Sequence, residues 1–563
     1  MTSQSASICQ GHPNPAPFIG LVWSWLLIIL LSGSTAACAS LPAQGERIAS
    51  KAFSAPEQTK LGQLVQQRRA QARARSDSGF VLLDTVGTAY SSRLALMASA
   101  QRSLDLQYYA IHADASTETL LQGLRDAARR GVRVRLLIDD FNIVGKDAQV
   151  LRLAVEPNVE IRLFNPLPGS RSSMLGRLFT SIHDIDRIQK RMHNKLFIAD
   201  SAMGIVGSRN LGDAYFGTGE LSNFVDLDVL AVGRVVKDMS ASFDRYWNND
   251  LAYPVESLVS AKELDALRTK PSTAGDVARQ SLKPTAPQAT ASAAILPDLT
   301  STVALSVGPA PMDLSTVPVI WAPSLLLEDK PGKIEPDDDE VQAGDTVVDG
   351  LLHLMEQARR DVLIISPYFV PGDAIMGLFE RMRSKGVRIR VLTNSLASND
   401  APAAHAGYAR YRHALLAMGV ELFEMRADQK GTVGGMGSGR LLGSRSAVGS
   451  APGASRASLH TKLVIVDQGL AVIGSMNLDL RSQLKNSEVA LVIRSSAIVR
   501  EATRQAQATL DQGAYRLVLE KDHLVWRAPP GAAFKDARSE PEASATLKLL
   551  VWLIGPFAPD EML

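Results

Sequence analysis

The sequence predicts an α/β protein built from two repeated α/β/α domains related by a pseudo-twofold axis. Three observations predict it. Extended apolar runs alternate with helical stretches, the order of elements occurs twice, and each copy leads into the same polar motif. In the first half, residues 104–109 (LDLQYY) form an extended run, and 117–130 carry Leu120, Leu121, Leu124 and Ala127 at helical spacing. Gly131 ends that helix, 132–138 reads as a buried strand, and 159–164 as a shorter one. The second half repeats this: a strand at 361–369, a helix at 375–385 with Leu378 and Met382 inward, Gly386, a strand at 387–393 and another at 420–425. Such alternation implies parallel sheets covered by helices. A polar stretch with spaced apolar positions, 57–75, predicts a helix leading into the first domain.

Composition bounds the function. The chain has 563 residues, 46% of them hydrophobic and 21% charged, enough for two domains with well-supplied cores. Sixty Lys and Arg face 58 Asp and Glu, a balance that argues against a whole-molecule nucleic-acid binder. The cysteines, Cys9 and Cys38, precede the globular part and supply neither a disulfide framework nor a metal site. The expected divisions are 1–42, a signal peptide or membrane anchor; 57–267, the first domain; 268–315, a Pro/Ala/Ser/Thr-rich linker; 316–530, the second domain, with a Gly-rich insert at 431–455; and 531–563, a tail with an apolar segment. The insert reads as a disordered excursion or as a basic flap over a site mouth.

The chemistry is carried by the doubled motif. His193, Lys195, Asp200, Gly207, Ser208 and Asn210 recur as His460, Lys462, Asp467, Gly474, Ser475 and Asn477, with six residues between Asp and Gly in both. Each motif runs into an apolar stretch, which predicts that it starts on a strand with His and Lys on one face. That pairing suits phosphodiester chemistry without a metal or cofactor. Two lysines offset the charge of the nonbridging oxygens. Of two histidines facing one phosphate, one attacks phosphorus while the other exchanges protons with leaving and incoming alcohols. Ser208, Asn210, Ser475 and Asn477 are candidate phosphate hydrogen-bond donors. Each histidine needs an acceptor to fix its tautomer. The segments 226–229 (DLDV) and 486–489 (NSEV) occupy matching places, so Asp228 and Glu488 are assigned that role. Asp200 and Asp467, counted with the catalytic set as motif members, are expected to make structural salt bridges below the site.

These residues are the signature of the phospholipase D superfamily, and the resemblance covers roughly 80–530. The stretches RMHNKLFIAD, VGSRNLGDAYFG, TNSLASNDAPAAHAGYARYR, RASLHTKLVIVD and IGSMNLDLRSQLKNSEV look like the C-type bacterial cardiolipin synthases. The resemblance implies phosphatidyl transfer onto phosphatidylglycerol with phosphatidylethanolamine as donor, His193 as nucleophile and His460 as general acid. Hydrolysis of phospholipids to phosphatidic acid uses the same residues with water as acceptor. A nuclease of the superfamily is disfavoured by the balanced charge, and a dead scaffold by the intact motifs.

Both ends of the chain point to a membrane surface in the bacterial envelope. Residues 18–31 are apolar and uncharged, too short for a comfortable span, and are followed by small residues and Cys38. The pattern resembles a lipoprotein signal with Cys38 as the lipidated residue, and by the positive-inside rule it also reads as a signal anchor. The apolar run 547–557 suits either an interfacial helix or a core helix. Tyr108, Tyr109, Tyr368 and Phe369 are candidates for lining a lipid pocket or for core packing. Asn399 and Asp400, with 405–408, are placed near the second substrate by the family pattern alone.

Overall fold

The computed structural model describes residues 41, 47–169, 171, 174–181, 184–219, 222–259, 310–335, 346–428, 456–555 and 559–560. The apolar run at 18–31, Cys38, nearly all of the linker and the Gly-rich insert lie outside the described residues.

The first half supplies β1 (Ser78–Leu83), β2 (Ser103–Tyr108), β3 (Arg133–Asp139), β4 (Val159–Phe164), β5 (Arg191–Met192), β6 (Leu196–Ala199), β7 (Met203–Gly207), β8 (Ser222–Val225), β9 (Asp228–Gly233) and β10 (Ala252–Pro254), with β11 (Ile320–Trp321) after the linker. Nine of these form one sheet, in the order β10-β4-β3-β2-β6-β7-β9-β1-β11. The second half supplies β12 (Ser324–Glu328), β13 (Asp361–Ile365), β14 (Arg388–Asn394), β15 (Glu421–Met425), β16 (Arg456–Leu459), β17 (Leu463–Val466), β18 (Leu470–Gly474), β19 (Asn486–Ser487), β20 (Val489–Arg494), β21 (Ala514–Glu520) and β22 (His523–Arg527). Its sheet runs β12-β20-β18-β17-β13-β14-β15-β21-β22. Read from the other edge, eight strands follow the same order, β10 through β1 matching β21 through β12, with β11 and β22 added at opposite edges. The duplication expected from the sequence is therefore a duplication of topology.

Two expectations need correction. The sheets are mixed. Within the two large sheets only β2-β3-β4 and β13-β14-β15 pair in parallel, each step a helical crossover; the motif strands form antiparallel hairpins, β6 with β7 and β17 with β18. The boundary at 316 is also displaced: β11 pairs antiparallel with β1 of the first sheet, so the chain passes to the second domain between Trp321 and Ser324.

The crossover helices form where the apolar spacing requires. In Ala115–Arg129, the Asp114 side chain caps the first turn by accepting from Thr117 N–H, and Leu120, Leu121, Leu124 and Ala127 are buried against the sheet. Gly131 then turns the chain with φ of 91°, a left-handed conformation that glycine adopts without strain. One apolar cluster covers the outer face of each sheet, and a third runs through both, joining Ile198, Val206, Phe243 and Trp247 to Ile465, Ile473, Leu491 and Val499. The halves therefore share a core. Two short parallel pairings stitch them: β5 to β19 and β8 to β16. Each joins the segment before one half's motif to the segment before the other half's acidic residue. That reciprocity is the mark of a twofold-related contact.

Candidate active site

The stitching strands place the histidines. Just after β5, the His193 N–H donates to Ser487 O (2.9 Å), and just after β16 the His460 N–H donates to Val225 O (2.9 Å). His193 and Lys195 sit in the extended segment between β5 and β6, and His460 and Lys462 between β16 and β17, rather than on the motif strands themselves. Backbone from the opposite half fixes each motif, so neither half holds a complete site.

Each imidazole is oriented across the domain boundary. His193 Nδ1 lies 3.0 Å from both carboxylate oxygens of Glu488, and His460 Nδ1 lies 2.8 Å from Asp226 Oδ1. An ionised carboxylate only accepts hydrogen bonds, so each Nδ1 carries the proton and Nε2 is left as the reactive nitrogen. Glu488 occupies the place expected of it. Asp228 does not. Its carboxylate is held by Arg93 Nη2 (2.9 Å) and Arg209 Nη1 (3.3 Å), and the orienting residue is Asp226. Strand register gives the reason: Gly207 faces Asp228 and Gly474 faces Ala490, so the counterpart of Glu488 is Asp226. The likeness of DLDV to NSEV is out of register by two, which keeps the side chain on the same face and conceals the slip.

The serines differ from expectation as well. Ser208 Oγ donates to Asp226 Oδ1 (2.6 Å), and Ser475 Oγ donates to Glu488 Oε2, so both hydroxyls brace the orienting carboxylates instead of pointing donors at a phosphate. Ser482 Oγ adds a second bond to Glu488 (3.0 Å). Asn210 is spent on structure, its Oδ1 accepting from Ala110 N–H (3.3 Å) and its Nδ2 donating to Tyr215 OH (3.0 Å). The Asn477 N–H donates to Ser482 Oγ (3.1 Å), while its buried side-chain Oδ1 has no partner among the described residues.

Asp200 and Asp467 lie at the far end of the motif strands, separated from the lysines by about 13 Å of strand at ~3.3 Å per residue. They form hydrogen bonds rather than the expected salt bridges. Asp200 accepts from the N–H groups of Gln101, Arg102 and Ser103 (2.9, 2.7 and 2.9 Å), and Asp467 from those of Arg359, Arg360 and Asp361 (2.8, 2.7 and 3.1 Å). Their φ values of 52° and 49° place them in left-handed hairpin turns, which aspartate tolerates better than most residues.

The lysines remain at the centre. Lys195 Nζ donates to His193 O (2.6 Å) and Lys462 Nζ to His460 O (2.9 Å), which leaves two ammonium donors on each for a bound anion. All four basic groups are buried. Burial, partly offset by Glu488 and Asp226, pulls Lys195 down to about 7, with Lys462 repulsion adding to the fall, and pulls Lys462 down to about 8. Burial and both lysines push His193 well below its ordinary value. His460 also falls, by burial and Lys462, but Asp226 opposes the fall. Burial raises Glu488 to about 6. It would raise Asp226 too, but His460, Arg209 and Lys462 overcome it and hold that carboxyl below the usual range.

Aromatic rings wall the site. Tyr109 meets His193 edge-on at 5.1 Å, while Tyr215 (5.4 Å) and Phe224 (5.0 Å) flank His460. Tyr368 OH donates to Asp400 Oδ1 (2.9 Å), whose charge is felt at Lys462. Tyr108 and Phe369 are core residues. Tyr215 falls in the stretch VGSRNLGDAYFG and Phe224 on β8, but neither belongs to the doubled motif, so its spacing assigns them no role. Among the described residues no group of His, Cys, Asp or Glu could hold a metal ion.

Similarity to known proteins identifies the family and the fold. A family model described as "Cardiolipin synthase, PLD-like domain" matches residues 94–247 and 351–510, one segment per half. The chain is 36% identical to cardiolipin synthase C of Escherichia coli K12 over 437 residues, covering 77% of this chain and 85% of that protein. It is 25% identical to cardiolipin synthase A of Pseudomonas entomophila over 438 residues, 77% of this chain and 68% of that one. In fold it resembles the crystal structure of phosphatidylserine synthase from Haemophilus influenzae (TM-score 0.52, 12% identity), which spans 88% of this chain and 99% of that one. The chain belongs to the cardiolipin synthase family of phospholipase D-like enzymes.

Proposed function

We propose that this protein makes cardiolipin by moving a phosphatidyl group from one phospholipid to the headgroup of another through a phosphohistidine. The observation that carries the reading is the pair of His–Lys sets, each oriented by a carboxylate from the opposite half. Lys195 and Lys462 neutralise the nonbridging oxygens of the donor phosphodiester. The family resemblance supports His193 as the nucleophile, and burial with both lysines favours its neutral imidazole. Its Nε2 forms a bond to phosphorus as the P–O bond to the donor headgroup breaks, and protonated His460 gives its Nε2 proton to the departing alcohol. His460 then removes the proton of the incoming alcohol, whose oxygen displaces His193. The resemblance to the C-type branch supports phosphatidylglycerol as acceptor and phosphatidylethanolamine as donor. The apolar run at 18–31 supports attachment to the cell envelope through lipidated Cys38 or as a signal anchor, and a reporter fused after residue 60 distinguishes the two faces of the membrane.

Lipid mass spectrometry in cells lacking other cardiolipin synthases tests the reaction. Expression is expected to raise cardiolipin, and His193→Ala or His460→Ala to abolish the rise. Cardiolipin unchanged beside accumulating phosphatidic acid would reassign the protein as a hydrolase.

A further inference from the structure

The C-terminal helix Ala545–Ile554 has no buried residue. Of the eight strongly exposed large apolar side chains among the described residues, four belong to it: Leu549, Leu550, Trp552 and Leu553. It is nonetheless fixed in place. On its N-terminal side Glu540 accepts from Arg412 (2.6 Å), and Glu542 from Arg426 (2.5 Å) and Ala427 N–H (3.1 Å); beyond its end Asp560 pairs with Arg410 and Tyr411. These carboxylates strap the segment to the second half and hold an apolar face in water, which is costly unless something covers it.

Beneath the helix lies a cavity of about 650 Å³, lined by Leu396, Trp526, Val551 and Trp552, with Arg538 and Lys548 among its basic groups. Of its two acids, Glu540 is held by Arg412 (2.6 Å), and the 91%-exposed Asp522 side chain at the rim lies 3.7 Å from His413. Lys548 donates to Ser539 Oγ (3.4 Å) and has no carboxylate partner among the described residues, and the 80%-exposed Arg538 reaches Glu520 only at 3.7 Å. An apolar face continuous with a cationic, tryptophan-lined cavity has the amphiphilic character of a glycerophospholipid with its phosphate at the cations. A second copy of the chain is a poor occupant, since a ten-residue helix offers a few hundred Å² against the ~800 Å² per partner of a stable interface. The location is also apt. Leu396 belongs to the loop after β14, where Asn394 exchanges two hydrogen bonds of 2.8 Å with the Leu459 backbone, next to His460.

We propose that this helix and the cavity under it form an anionic-phospholipid site distinct from the catalytic centre. The four exposed side chains enter the acyl layer, Lys548 and Arg538 hold a lipid phosphate, and the site mouth is set against the bilayer. The inference rests on the reading that bilayer phospholipid is the substrate, but its test does not depend on turnover.

The full chain carrying photoreactive benzoylphenylalanine in place of Leu549 or Trp552 is irradiated on vesicles of phosphatidylglycerol and phosphatidylcholine in equal parts, or of phosphatidylcholine alone, and the C-terminal peptide is analysed by mass spectrometry. This readout is blind to any anchoring by the N-terminal segment. Phospholipid adducts are expected on the anionic vesicles, falling about tenfold on phosphatidylcholine alone or when Lys548→Glu and Arg538→Glu are combined. The absence of lipid adducts, adducts to protein, or lipid adducts indifferent to charge reversal would each overturn the proposal. Adducts from a chain that makes no cardiolipin would instead defeat only the catalytic reading.

Discussion

His193 and Glu488 are separated by 295 positions in the chain, yet the imidazole Nδ1 lies 3.0 Å from both oxygens of the carboxylate. The mirror relationship, His460 with Asp226, spans 234 positions. Each half thus orients the other half's reacting group, and separating the halves would disarm both histidines.

Replacing the orienting acids tests this directly. Glu488→Gln and Asp226→Asn keep the shape and remove the charge, so kcat is expected to fall about 10²-fold or more with little change in KM. Asp228→Asn is expected to behave differently. It leaves Arg93 and Arg209 buried without their counter-ion, so the loss appears in stability, about 3 kcal/mol in a denaturant titration, rather than in kcat of the folded fraction. If Asp228→Asn and Asp226→Asn had the same kinetic signature, the register assignment would be wrong.

The pH profile follows from the buried charges. His193, held well below its usual value, is neutral and nucleophilic at neutral pH. His460, which acts as the acid, also lies below its ordinary value. Lys195 near 7 and Lys462 near 8 lose their charge above those values, so kcat/KM is expected to decline with rising pH on the acid side of 7 and further through 7 to 8. A bound phosphodiester anion raises both lysines, which moves the alkaline limb of kcat to higher pH than that of kcat/KM. A kcat/KM flat from roughly pH 6 to 9 would contradict the assignment of both lysines to the phosphate.

The motif aspartates should read out as structure. Asp200→Ala or Asp467→Ala strips an acceptor from three backbone N–H groups, with an expected cost of about 3 kcal/mol in unfolding free energy and kcat per folded molecule kept within about threefold. A total loss of activity in a protein of unchanged Tm would instead place these residues in the chemistry.

The motif glycines are constrained by space. A Cβ at Gly207 would collide with the Asp228 carboxylate and backbone, and one at Gly474 with Val489 O and Ala490. Gly207→Ala and Gly474→Ala are each expected to destabilise by about 3 kcal/mol or more, measured by the denaturant midpoint, since backbone cannot yield as a flexible side chain can.

Legible in the linear chain are the repeated α/β architecture, the paired histidines and lysines of the reacting centre, and Glu488 as an orienting acid. These depend on local periodicity and fixed spacing, which a linear reading preserves. The tertiary structure alone decided which acid serves His460, that Ser208 and Ser475 brace carboxylates, that Asp200 and Asp467 cap strand-end amides, and that Tyr215 and Phe224 join the wall. Each depends on strand register or on the reciprocal pairing of β5 with β19 and β8 with β16. A shift of two residues leaves the hydrophobic pattern of a strand unchanged while moving every side chain by about 7 Å, so periodicity cannot detect it. Contacts across hundreds of residues leave no local trace, and only the folded core shared by the two halves brings them together.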